Sequence, residues 1–400
     1  MPPTIVLVLV ALVLLAASSL QAIVVTTTAD EDGDNPEACA LREAVQTLND
    51  QTSFGGCVFT EGDTLVELGA GTYELSLDLG ITDGLNLFVP MTLRGQGPHQ
   101  TTIERIAPLE DDLLTVILLT PGVVTFEGFS IRGATGLFNS AIEFVADSGE
   151  ELIMRDLVFV DNVARSAPFR FQGNADGIAR LDRVVFENNR NQGENSGGGG
   201  INCSGDDDAA ALPSISLKDV IFRGNVATDE DDSVGGLGAS GGGMVSQLCH
   251  LTLENVTFDS NSAVGVEADG LGGGLLLFEF DGQSPQVDLS NVTFFNNSAV
   301  LGGGMAQFSF INGREATLNQ VTFAENRGSG GGDHILQRNS SASLRNVVFG
   351  PSPNGACDSN PASILTPLGG NMDSDGTCGV ELSVADPGLG GALTQQGGFT

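Results

Sequence analysis

The chain of 400 residues holds 51 acidic side chains against 16 basic ones, a formal net charge of −35, with 55 glycines, 22 phenylalanines, one tyrosine and no tryptophan. Such a field repels nucleic acid and anionic lipid headgroups, which excludes both as expected partners. Lysine is reduced to Lys218, and an Asp-rich, Lys-poor surface suits high salt, where screening relieves self-repulsion.

Residues 1–22 contain an apolar run from Ile5 to Ala17 followed by small residues, which reads as a secretory signal peptide. No Lys or Arg precedes the run, and it is short for a membrane span. The mature chain is therefore expected to be secreted or held at a bacterial cell surface or outer membrane. No other transmembrane candidate follows.

Residues 23–60 carry the one convincing helix. Asn35 is placed to cap it and Pro36 to open it, while Leu41, Ala44, Val45 and Leu48 recur at helical spacing. A solenoid exposes its core at both ends, so this helix is expected to be a lid. Arg42 and Glu43 read as a lid-fixing pair, not a catalytic one.

From residue 61 to 352 a phrase of the form Val-x-Phe-x-x-Asn recurs, with Phe at positions 159, 186, 222, 258, 294, 323 and 349 and a glycine run after most copies. Repeats of this size mean stacked supersecondary units, not one closed domain. Each unit offers short runs of alternating apolar and polar residues, which cannot bury a face alone but can stack into long parallel sheets. The fold expected is all-β: a right-handed, single-stranded parallel β-helix of roughly ten coils with an N-terminal capping helix.

Asn162, Asn189, Asn225, Asn261, Asn297 and Asn326 follow the repeat Phe by three places and are expected to form an internal amide ladder. Asn also tolerates the left-handed backbone that a corner needs. The glycine runs fit corners where backbone meets backbone. A nucleotide loop is excluded, because no Gly-Lys-Ser/Thr follows them.

Loop insertions after the repeat Phe peak after Phe222 and taper on both sides, which predicts one protrusion tipped by Asp229, Glu230, Asp231 and Asp232. A second acidic loop spans Asp206 to Asp208. The oxygen-rich turns at Asp30, Asp32 and Asp34 and at Asp373 and Asp375 have the composition of calcium ligands, with solvated surface charge as the competing reading. No cofactor is required.

Six cysteines in an exported chain point to disulfides, and spacing favours Cys39–Cys57, Cys203–Cys249 and Cys357–Cys378. The last pair would close a C-terminal segment, residues 353–400. The repeat breaks at Ser352, where the regular stack is expected to end. No sorting motif or hydrophobic tail is visible, so the chain is either released or a fragment.

Cys39-Ala40-Leu41-Arg42-Glu43-Ala44 resembles the Cys-Ser-Leu-Arg-Glu-Ala signature of the CSLREA domain of bacterial exported and surface proteins, with Ala40 in place of Ser. The stretches around it are similar to that family's continuation into a β-helix. Downstream, the Phe-x-x-Asn and Gly-Gly-Gly alternation resembles polymorphic outer-membrane protein repeats. The resemblance covers nearly everything after residue 22. It implies a surface-associated β-helix and leaves activity open.

Function is expected to be that of a non-catalytic adhesion or binding scaffold, monomeric, presenting the protrusion after Phe222 to a surface protein or glycan. The alternative is a polysaccharide lyase or glycoside hydrolase of the pectin-lyase-like fold, since such enzymes need two or three convergent carboxylates. Asp219 and Glu254, three and four residues before successive repeat phenylalanines, are the candidate pair, with Asp259 and Asp288 nearby. The lack of Trp and the single Tyr73 argue against aromatic sugar platforms, because most Phe belong to the repeat.

Overall fold

A computed structural model describes residues 22–77, 84–106, 112–136, 140–193, 197–206, 211–228, 239–265, 270–279, 283, 285–310, 314–380 and 382–383. Three parallel sheets wrap one apolar core: a long sheet of 18 strands, a second of 10 and a third of 7. The fold is a parallel β-helix. Strands stack in register from coil to coil, so that Phe258 lies between Phe222 and Phe294, and Leu275 is followed by Met305.

One coil shows the local logic. The strand His250–Asp259 lies in the long sheet, Ser262–Val264 in the seven-stranded sheet and Leu275–Glu279 in the ten-stranded sheet. Three left-handed residues turn it: Asn255, Ser260 and Gly272, at φ 57°, 58° and 64°. Gly274 sits against the next coil, where an added Cβ would stand 2.9 Å from a Phe294 ring carbon. That close approach explains a glycine at the end of the run.

Inside, the repeat phenylalanines form a continuous stack. Ring centroids are 4.6 to 5.3 Å apart from Phe159 through Phe349. Beside them runs the asparagine ladder. Asn162 donates its amide to Asn189, Asn189 to Asn225, Asn225 to Asn261, Asn261 to Asn297 and Asn297 to Asn326, at 2.8 to 3.0 Å. Each amide also donates to a main-chain carbonyl of an earlier coil, as Asn225 does to Phe186 at 2.8 Å.

The ladder asparagines are not the left-handed residues. That conformation falls on the preceding position, at Asp161, Asn188, Gly224, Ser260, Asn296 and Glu325. The left-handed residue makes the turn, and the Asn after it points inward to fill it. The ladder ends on buried His334, whose Nδ1 faces the Asn326 amide at 3.3 Å while Nε2 faces the Gly350 carbonyl at 3.0 Å. Burial pushes this imidazole below its usual pKa, and the donors around it fit a neutral ring with hydrogen on Nε2.

The helix α1 spans Leu41–Asp50 and buries Leu41, Ala44, Val45 and Leu48 over the first coil. It begins later than Asn35 and Pro36 predict. Asn35 instead closes a turn by accepting the Glu37 N–H, and Glu43 caps the helix by accepting the Ala40 N–H at 3.0 Å. Arg42 and Glu43 do not pair with one another. Arg42 holds Asp30 at 2.8 Å, while Glu43 reaches the Gly33 N–H at 2.9 Å.

All three expected disulfides are present. Cys249 reaches Cys203 from beyond a corner at Leu248, since the register partner of Cys203 is Ser246. The stack does not end at Ser352. Cys357–Ser359 extends the ten-stranded sheet, Ile364–Pro367 and Met372–Asp373 extend the long sheet, and Asn371 bonds inward to the Leu344 carbonyl. These last coils lack the Phe-x-x-Asn phrase, so the motif stops before the architecture does. Among the described residues no helix is long and apolar enough to cross a membrane.

Candidate functional site

The long strands carry a feature that alternation alone does not predict. Each is broken by one left-handed residue, at Asp156, Arg183, Asp219, Asn255, Asn291, Gln320 and Asn346 in successive coils. The break puts two consecutive side chains outside, as at Glu254 and Asn255, and so bends the outer face. Along this bend lies an open depression of about 420 Å³, lined by Thr252, Glu254, Asn255, Asp288, Ser290, Asn291 and Gln320. Hydroxyl, amide and carboxylate groups supply the larger share of its lining, and the rest is apolar.

The polar side chains form an outer ladder parallel to the inner one. Asn291 donates to Asn255 at 2.8 Å, and Asn255 donates to the Asp219 carboxylate at 2.9 Å. The structure does not bring Asp219 and Glu254 together as a facing pair. Glu254 is in register with Lys218, whose ammonium lies 3.6 Å away, and Asp219 is stacked on Asn255. Counting back from Phe misjudged this pair because the left-handed break separates the two positions into different columns. Asp259 is engaged as well, by Arg223 at 3.4 Å and by the Ser260 hydroxyl at 2.8 Å.

Asp288 is the carboxylate that joins Glu254 in the groove. It is in register with Thr252 and Thr317, while Ser290 is in register with Glu254. One strand spacing and two residue rises therefore separate the two acids, a diagonal of roughly 8 Å.

Of the calcium candidates, Asp30, Asp373 and Asp375 are occupied by protein donors. Asp30 accepts from Arg42 and from the Ser76 and Leu77 N–H groups. Burial opposes its charge, but those bonds outweigh it and hold the carboxyl below its usual pKa. Asp373 accepts from the Cys378 and Asp375 N–H groups, and Asp375 from the N–H groups of Thr377 and Ala356. Both act as turn-closing acceptors. Asp32 and Asp34 are exposed. Among the described residues no group of three or more His, Cys, Asp or Glu is arranged to hold a metal ion. Asp229, Glu230, Asp231 and Asp232 lie outside the described residues, as do residues 1–21, where a signal peptide is expected.

One titratable cluster escapes the sequence reading. The Asp112 carboxyl accepts the Ser140 N–H and shares a hydrogen bond with Glu143, which Arg170 binds at 2.8 Å. Burial, and then the charge of Glu143, push Asp112 up to about 8, so the pair retains a proton at neutral pH. The available signal was the coil step of 27 residues between Glu143 and Arg170. The cluster stands on the ten-stranded sheet, away from the groove.

No family model matches the chain, and no curated protein does. Among solved structures it is similar to the catalytic unit of a thermostable GH87 alpha-1,3-glucanase from Streptomyces thermodiastaticus, at 15% identity and a TM-score of 0.39, covering 87% of this chain and 70% of that one. It is also similar to the A-module of the mannuronan C-5 epimerase AlgE6 of Azotobacter vinelandii, at 11% identity and a TM-score of 0.33, covering 85% and 96%. At these identities the likeness concerns the fold alone.

Proposed function

We propose that the protein is an extracellular β-helix scaffold that binds an extended glycan along the bent outer face of its long sheet. The observation that carries this reading is the groove at Thr252, Glu254, Asn255, Asp288, Ser290, Asn291 and Gln320. It offers hydrogen-bonding groups in rows along successive coils beside a smaller apolar share, which suits the hydroxyls and apolar ring faces of a polyhydroxylated chain better than a compact apolar ligand. Binding is favoured over turnover because Asp219 is stacked on Asn255 and does not face Glu254 as a carboxylate pair. Three disulfides and the resemblance to CSLREA-type exported proteins support an extracellular setting.

Calorimetric titration of an oligosaccharide panel tests this reading. Asn291→Gly keeps the left-handed backbone while deleting the amide, and Ser290→Ala deletes a hydroxyl. Each is expected to weaken binding about tenfold with melting nearly unchanged. Full affinity in both variants would remove the groove as the contact surface.

One observation favours a second reading, hydrolysis with inversion. Glu254 and Asp288 line the same groove from neighbouring coils, and inverting glycosidases use two separated carboxyl groups of this kind, one as acid and one as base. Release of new reducing ends, abolished by both Glu254→Gln and Asp288→Asn, would establish it. Intact glycan after long incubation would leave the scaffold reading.

A further inference from the structure

The asparagine ladder has a direction, and His334 stands at its end. From Asn162 to Asn297 every rung donates its amide to Oδ1 of the next. Asn326 receives the last of these bonds and donates one amide hydrogen to the Phe294 carbonyl at 2.9 Å, which leaves the other for Nδ1 of His334. Nδ1 must accept, so the ring hydrogen sits on Nε2 and is donated to the Gly350 carbonyl.

An unrestrained amide could turn over to meet a proton added at Nδ1, and Asn326 cannot. A flip would set its oxygen against the Phe294 carbonyl and its NH2 group against the Asn297 main-chain N–H and amide, both donors. The imidazole is fully buried, with its ring against those of Phe323 and Phe349 at 6.0 and 6.4 Å, so it cannot reach solvent in place. Three carboxylates nearby, Asp333, Asp375 and Asp373, carry charge that favours an imidazolium. Their oxygens are engaged elsewhere: Asp333 accepts from Gly328, Ser352 and Asn354, while Asp373 and Asp375 close their own turn. Glu325 and Arg327, beside Asn326, are exposed. Burial outweighs the three charges, and the fold holds the ring neutral.

We propose that His334 is an acid-sensitive latch: a proton taken up on Nδ1 breaks its contact with Asn326 and opens the coils that follow, from Ile335 to Asp373, while the stack before them stays closed. The Cys357–Cys378 disulfide lies wholly within the C-terminal coils and does not tie them to the earlier ones. Opening bares the sheet edge of Met305–Ser309, which is otherwise paired with Ile335–Arg338. Opened, His334 takes up a proton near its ordinary pKa of 6.5, whereas closed it stays neutral. Its contribution to closure is therefore complete well above pH 6.5 and is lost as pH falls below that value.

Hydrogen exchange with mass spectrometry on the full mature chain tests this against His334→Gln, whose side chain can still donate to the Gly350 carbonyl but does not titrate. Rates are corrected for the intrinsic pH dependence of exchange. From about pH 7.5 to about pH 5.5, the ratio of parent to variant protection over Ile335–Arg338 and Met372–Asp373 is expected to fall about tenfold, and to stay constant over His250–Asp259. Asp333, Asp373 and Asp375 are present in both proteins, so the ratio isolates the imidazole. A constant ratio in every segment, or an equal fall in every segment, would overturn the latch. Ring nitrogen spectra of the parent test it without a variant. The neutral ring with hydrogen on Nε2 is expected to persist at about pH 6 in the folded chain, and an imidazolium formed there with protection unchanged would overturn the proposal.

Discussion

At Asn225 one buried amide serves four partners: it accepts from the Asn189 N–H and amide, and donates to the Phe186 carbonyl and to Asn261. Removing it leaves groups on two other coils unpaired where water cannot replace the bonds. Asn225→Ala is expected to cost about 3 kcal/mol or more, measured by urea denaturation. Asn174→Ala, on an exposed side chain, should stay within about 0.5 kcal/mol. Similar costs for both would mean that the ladder is decoration. The ladder was legible because its asparagines keep a fixed distance from Phe. The left-handed residue before each was not, since that position holds Asp, Asn, Gly, Ser or Glu, with no shared side chain.

Among the elements, the coil formed around Ile142–Ala146 depends on the proton shared by Asp112 and Glu143. Folding raises Asp112 from 3.8 to about 8, so the folded state holds a proton that the unfolded chain releases across that range. This contribution to stability is complete below pH 3.8, declines as pH rises, and is lost above about 8. Asp112→Asn should abolish that decline in a series of melting curves. A variant as pH-dependent as the parent would show that other groups dominate. Element types and the core face followed from alternation, and strands such as Phe169–Gly173 alternate as expected. The break within each strand was hidden, because its positions hold Asp, Arg, Asn or Gln. That break creates the groove, so the fold could be read from the chain while the site could not. The Asp219 and Glu254 pairing failed for the same reason, and Asp288 was named without its place beside Glu254.

For the whole molecule, charge and core pull in different directions. A stack of apolar coils closed by α1 at one end carries a net charge of −35. Self-repulsion in such a particle should ease with salt, so melting is expected to rise between low and molar sodium chloride. Chelation should change melting little, because Asp30, Asp373 and Asp375 already accept from protein donors. A large fall in melting on adding chelator, restored by calcium, would contradict that assignment. The stacking order was legible from the repeat, and the extent of the helix was not, because its final coils keep the pairing of Ile364–Pro367 and Met372–Asp373 without the Phe-x-x-Asn phrase.

The most direct test of the account is the footprint of a bound oligosaccharide, read by hydrogen exchange and mass spectrometry on the full mature chain. The account predicts slowed exchange over Thr252 to Asn255, Asp288 to Asn291 and around Gln320, on three successive coils of the bent face. Slowed exchange confined to the loop after Phe222, with those segments unchanged, would contradict it and return the contact surface to the acidic insertion.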